Sequence, residues 1–129
     1  MTKAPTASRS LRGGRAHATG IDAEALACAA LVGDGWTVLA RRVRTSAGEV
    51  DAVAEREGLL AIVEVKRRAT LTDAAWALTA RQRTRLLGAA EILLAEHPDW
   101  GRAGVRFDVL LVDTAGTVRR IADAFRQEV

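Results

Sequence analysis

The spacing of apolar positions changes along this chain, and each change marks an element. From Thr19 to about Val32, Ala27, Cys28 and Leu31 recur at three- and four-residue spacing. This predicts a helix capped by Thr19 and ended by Gly33-Asp34-Gly35. Strand-like runs follow at Trp36–Val43 and Gly48–Glu55, and the apolar stretch Leu59-Leu60-Ala61-Ile62-Val63 opens a third strand reaching Arg67. Helical spacing returns from Asp73 to Glu96, with Thr72 as cap and His97-Pro98 as stop. Val105–Val112 reads as a further strand, and beyond Gly116 a short helix is predicted near Ile121–Arg126. The order α-β-β-β-α-β-α implies an α/β fold, a mixed central sheet flanked by helices, in one domain over residues 19–129.

Glu57-Gly58 joins the second and third strands. As a two-residue hairpin turn it sets Asp51 opposite Glu64 and Glu49 opposite Lys66. All four then share one face, with opposed Cβ atoms about 4.5–5.5 Å apart. Glu24 lies on the apolar stripe of the first helix with Ala27, Cys28 and Leu31. A carboxylate there either complements the helix dipole or points at what the core surrounds.

Composition sharpens this picture at one residue. Of 19 basic residues 17 are arginine, and Lys66 is the only lysine outside the N-terminal tail. A genome rich in G and C would favour arginine codons and leave one lysine by chance, and Glu-x-Lys by itself is most often a surface ion pair. Beside a carboxylate pair, however, a compact ammonium can hold a water or a single oxygen, as a planar guanidinium cannot. Residues 1–18 are expected to form a disordered basic tail. They carry Lys3, Arg9, Arg12 and Arg15, so the rest of the chain, with 15 basic and 16 acidic residues, is nearly neutral. Such an arm could track phosphates. The single cysteine, Cys28, and the two histidines, His17 and His97, support neither a disulfide framework nor a zinc site, and Cys28 is expected to be a buried structural thiol. With no spanning stretch and no secretory signal, the expectation is no membrane association and a reducing, cytoplasmic compartment.

The chemistry that fits two acids on adjacent strands, a third on a helix and a nearby lysine is metal-assisted phosphodiester hydrolysis. Carboxylates hold Mg²⁺ or Mn²⁺, which neutralises phosphate charge and activates water, while the lysine orients that water or stabilises developing charge. Asp51, Glu64, Glu24 and Lys66 take these roles in order. Arg42, Arg44, Arg67 and Arg68 flank the acidic pair in sequence and suit phosphate contacts, although a strand edge protected by charge explains any one of them.

Gly20-x-x-x-Glu24, Gly48-Glu49-Val50-Asp51, Ile62-Val63-Glu64-Val65-Lys66 and Arg106-Phe107-Asp108-Val109 stand in the order and spacing of the YraN family. The chain resembles these small bacterial proteins of restriction-endonuclease-like fold from Thr19 to Phe125. It is also similar, by motif, to archaeal Holliday-junction resolvases, whose helical Glu, strand Asp and Glu-x-Lys would fall on Glu24, Asp51, Glu64 and Lys66. Two departures bear on nucleic-acid contacts. Arg42 stands where the family commonly has Asn, and Gln82 stands near its usual Lys; a glutamine on this helix resembles related nucleases in which one reaches the site. The resemblance marks Arg106 and Asp108 as characteristic without giving them a role, and their alternation with Val105, Phe107 and Val109 suits a structural ion pair. Trp36, Trp76 and Trp100 are expected to be packing residues.

The resulting expectation is a Mg²⁺-dependent nuclease acting on DNA, including branched or structured DNA. Two other readings are a nucleic-acid-binding module of the same fold without turnover, and an interaction subunit with a structural charge cluster. Resolvases of this fold act as dimers, so a homodimer is an expected arrangement, though no exposed apolar stripe demands it.

Overall fold

The computed structural model describes residues 22–71 and 78–125. Helix α1 (Ala23–Gly33) leads into strands β1 (Thr37–Thr45), β2 (Gly48–Arg56) and β3 (Leu59–Arg67), followed by helix α2 (Ala80–Glu96) and strands β4 (Gly104–Val112) and β5 (Val118–Phe125). The five strands lie in chain order across one sheet, antiparallel except for the β3–β4 pair. The architecture is α/β and consistent with a restriction-endonuclease-like arrangement.

The two faces of the sheet are covered by different helices. Ala52, Ala54, Ala61, Val63 and Leu110 pack with Ala27, Cys28 and Leu31 of α1. Val53, Leu60, Ile62, Phe107, Val109 and Leu111 pack with Leu86, Ala89, Ala90 and Leu93 of α2. β3 and β4 are buried on both faces, which is why their sequences run apolar without strict alternation.

Three expectations about elements need correction. The cap of α1 is Asp22, whose Oδ1 accepts the Ala25 N–H at 3.0 Å; Thr19 lies outside the described residues. Helix α2 begins at Ala80 rather than Asp73, because Thr79 and Gln82 form a capping box that starts the helix there. Thr72, Asp73 and Trp76 lie outside the described residues, as does the tail over residues 1–18. The segment expected as a terminal helix is β5. Ile121 and Phe125 are four apart, a spacing shared by one helical turn and every second position of a strand, and the open edge of β4 takes the segment as an antiparallel partner.

The Glu57-Gly58 turn has both residues at positive φ, 52° and 83°, as a type I′ hairpin requires. It sets the predicted register, from Arg56 opposite Leu59 to Ala52 opposite Val63. Both outer strands are kinked by a non-glycine residue at positive φ: Arg42 (51°) in β1 and Asp123 (55°) in β5. At the second kink the register of β4 against β5 shifts, and the Asp123 N–H donates to Asp108 Oδ1 at 2.9 Å.

Candidate active site

The expected site lies where the β2–β3 ladder ends. Past Ala52 and Val63, the Val65 N–H donates to the Asp51 carboxylate, to Oδ2 at 2.7 Å. The alternation of β2 also slips at this point. Val50 and Val53 both belong to the core under α2, where strict period two would place them on opposite faces. Across β1 the matching position is Arg42, between the pairs Arg41–Ala52 and Val43–Val50. The expectation that Asp51 and Glu49 share one regular face with Glu64 and Lys66 is therefore corrected. Asp51 occupies a local break in the sheet, and Glu49 is exposed beside Arg44.

Around Asp51 the acids come from three elements. Glu24, in the first turn of α1, is near enough to help raise the Asp51 pKa and is ion-paired to Arg42, Nε to Oε1 at 2.5 Å. Glu64 of β3 is 9% exposed and accepts from Arg85 Nη2 of α2 at 2.9 Å. The stem of Arg85 crosses Gly48, where a Cβ would lie 2.3 Å from Arg85 Cγ. Lys66, two residues beyond Glu64, is 8% exposed on the same face of β3.

Burial pushes the Asp51 carboxyl up from 3.8 to about 6; the Val65 N–H opposes this, and Glu64 and Glu24 add to it. Burial is also the main cause lowering the Lys66 pKa, followed by Arg68, with Glu64, Arg85 and Asp51 as further neighbours. Two oppositely charged groups are thus held out of water within electrostatic reach of each other. Among the described residues no three His, Cys, Asp or Glu side chains form a ready-made metal cage. Asp51 beside Glu64 and Glu24 is instead an all-oxygen set, of the kind Mg²⁺ takes one or two at a time together with waters and phosphates. In donor chemistry these residues fit such an ion.

The other expected residues fall in different settings. Arg44 is highly exposed, 3.6 Å from Glu49. Arg67 is exposed at the end of β3, and Arg68 donates to the Arg67 carbonyl. Gln82 gives its Oε1 to the capping box, so it serves the start of α2. Arg106 and Asp108 form the expected ion pair, with Nε 3.1 Å from Oδ1 and the Asp108 side chain fully buried. Cys28 is a buried free thiol whose pKa is raised chiefly by burial, in keeping with a structural role. Trp36 is buried, and Trp100 stacks on His97 at 3.7 Å. Sequence reasoning did not place Arg85 in the site. Its helical stripe is legible from its spacing with Arg81, but the carboxylate it meets depends on how α2 crosses β2 and β3.

Comparison with known proteins gives one family. The model of the uncharacterised protein family UPF0102 matches residues 23–112. A UPF0102 protein of Granulibacter bethesdensis is 62% identical over 116 residues, 90% of this chain and 73% of that protein. Others from Bradyrhizobium sp. (strain ORS 278) and Azorhizobium caulinodans are each 46% identical, covering 85% and 88% of this chain and 78% and 86% of their own lengths.

Proposed function

The chain belongs to the uncharacterised protein family UPF0102, the YraN family, and from that premise we propose that it is a metal-dependent nuclease hydrolysing phosphodiester bonds of DNA, branched or structured DNA included. The observation that carries the reading is the convergence on Asp51. A half-buried carboxylate sits at a break in the sheet, fixed by one backbone N–H, with acids from α1 and β3 beside it and a desolvated lysine within electrostatic reach. A partly dehydrated charge cluster of this kind is costly to a fold and is characteristic of sites that do chemistry.

In this reading Asp51 and Glu64 hold Mg²⁺ or Mn²⁺, with Glu24 in support, and the ion supplies phosphate neutralisation and water activation. Lys66 positions the attacking water or meets charge developing on the phosphate. Arg85 and Arg42 hold Glu64 and Glu24 in place through their ion pairs. In this reading the exposed Arg44 and Arg67 contact the nucleic-acid backbone. Among the described residues no helix is long and apolar enough to cross a membrane. The reading includes action in the cytoplasm and a homodimer for paired strand cuts.

Those same ion pairs favour a second reading, a nucleic-acid-binding module without turnover, since Glu24 and Glu64 are already neutralised from within. Incubation with linear, flapped and four-way DNA, with and without Mg²⁺ or Mn²⁺, tests the proposal. Metal-dependent cleavage lost in Asp51→Ala and Glu64→Ala supports it; salt-sensitive binding without cleavage on every substrate leaves the second reading.

A further inference from the structure

The sheet face under α1 carries another convergence of charge, away from Asp51. Trp36 is 3% exposed. The guanidinium carbons of Arg56, Arg106 and Arg120 stand 5.0, 4.9 and 5.5 Å from the centroid of its indole. These arginines come from the end of β2, from β4 and from β5, strands that meet only through the fold. The phase of each strand agrees, because Ala54, Leu110 and Val118, which share a face with them, also pack on the α1 side.

Two carboxylates accompany the three cations. Asp108 accepts from Arg106 Nη2 at 3.2 Å, and Asp34 Oδ2 lies 4.0 Å from Arg120 Nη1. Arg56 Nη1 donates to the Asp34 carbonyl oxygen at 2.8 Å. Two buried donors in the cluster, Trp36 Nε1 and Arg120 Nη1, lack a hydrogen-bond acceptor, whereas Arg106 Nε faces Asp108 Oδ1 at 3.1 Å. Unmet buried donors are rare in folded proteins, and three like charges within roughly 10 Å of one another repel. Stacking on the indole offsets only part of that repulsion. An oxyanion, with several acceptor oxygens and negative charge, answers both the unmet donors and the excess of cations. The rim of the cluster meets solvent at Arg56, which is exposed, and at Arg120, whose side chain is 24% exposed.

We propose that Arg56, Arg106, Arg120 and the Trp36 indole form a phosphate-binding site, and that the phosphate is a nucleic-acid backbone phosphate held away from the one at Asp51. Only the source of the phosphate rests on the nuclease reading. The two sites lie at opposite ends of α1, which begins beside Glu24 and ends at Asp34. That separation is about 15 Å of helix, or roughly four base-pair steps along a duplex. A strand held at both sites would have its direction of entry set by the arginine site.

The test uses the full chain without divalent metal. Inorganic phosphate is titrated by calorimetry and tryptophan fluorescence, and a short duplex is titrated over a range of salt. Arg56→Gln and Arg120→Gln are each expected to weaken phosphate binding about tenfold and to reduce the salt slope of duplex binding by about one. Asp34→Asn, which removes the competing carboxylate, is expected to tighten phosphate about threefold. Phosphate affinity unchanged in both arginine variants overturns the site. Phosphate that responds while the duplex slope does not overturns the backbone as its source. Failure of the nuclease reading would appear elsewhere, as wild-type protein that never cuts DNA with metal, and leaves the phosphate result standing.

Discussion

Replacing Asp51 by asparagine should stabilise the protein at alkaline pH. The carboxyl is pushed from 3.8 to about 6, chiefly by burial. A proton held more tightly in the native state gives stability that is complete below the unfolded value and is lost as pH rises through about 6. At about 1.4 kcal/mol per tenfold, the interval is worth roughly 3 kcal/mol, an upper figure because the side chain keeps some contact with water. Asparagine retains an oxygen for the Val65 N–H and carries no charge. Asp51→Asn should therefore exceed wild type by up to about 3 kcal/mol near pH 8, or roughly 6–12 °C in Tm, and lose that advantage near pH 4. Denaturant unfolding of both proteins across this range measures it. Manganese at a hundredfold excess over its Kd should then stabilise wild type by about 2.7 kcal/mol and leave the variant unmoved. Equal stabilities at alkaline pH would refute the buried charge, and a difference constant across pH would refute ionisation of Asp51 as its cause.

Lys66→Arg keeps the charge and should fold, yet lose about a hundredfold in single-turnover cleavage at saturating metal, because a forked guanidinium displaces the water an ammonium holds. Gly48→Ala puts a methyl within 2.3 Å of Arg85 Cγ at a φ of +135°. It should cost about 1–3 kcal/mol in denaturant unfolding and weaken the Arg85–Glu64 pair. Glu57→Asn, at a turn position with φ of 52°, should raise stability by about 0.5–1 kcal/mol in the same assay, since asparagine tolerates the left-handed region that type I′ demands.

Local rules reach as far as local physics decides the outcome. The Glu57-Gly58 turn is read correctly because a two-residue hairpin fixes register by itself, and the Glu-x-Lys pair follows from period two on a strand buried on both faces. Glu24 is legible as a carboxylate out of place on an apolar stripe. The slip at Asp51 is not, because it accompanies a left-handed Arg42 on the neighbouring strand, a pairing that only the assembled sheet reveals. Nor is the final strand, since the five residues from Ile121 to Phe125 satisfy either period and the vacant edge of β4 decides between them. Arg85 and the arginines around Trp36 share this obstacle: their partners lie on elements distant in sequence, and only the assembled sheet brings them together.

The kinks at Arg42 and Asp123 fall on the two outermost strands. A straight edge strand offers a row of free amides and carbonyls on which a neighbouring molecule can add another strand. Here each border is bent by a residue in the left-handed region, and arginines line the first of them at Arg41, Arg42 and Arg44. Each border is thereby made a poorer template for adding a further strand. Self-association is steered toward the helical faces or the strand ends, which leaves the rim of the sheet open to a long, charged polymer.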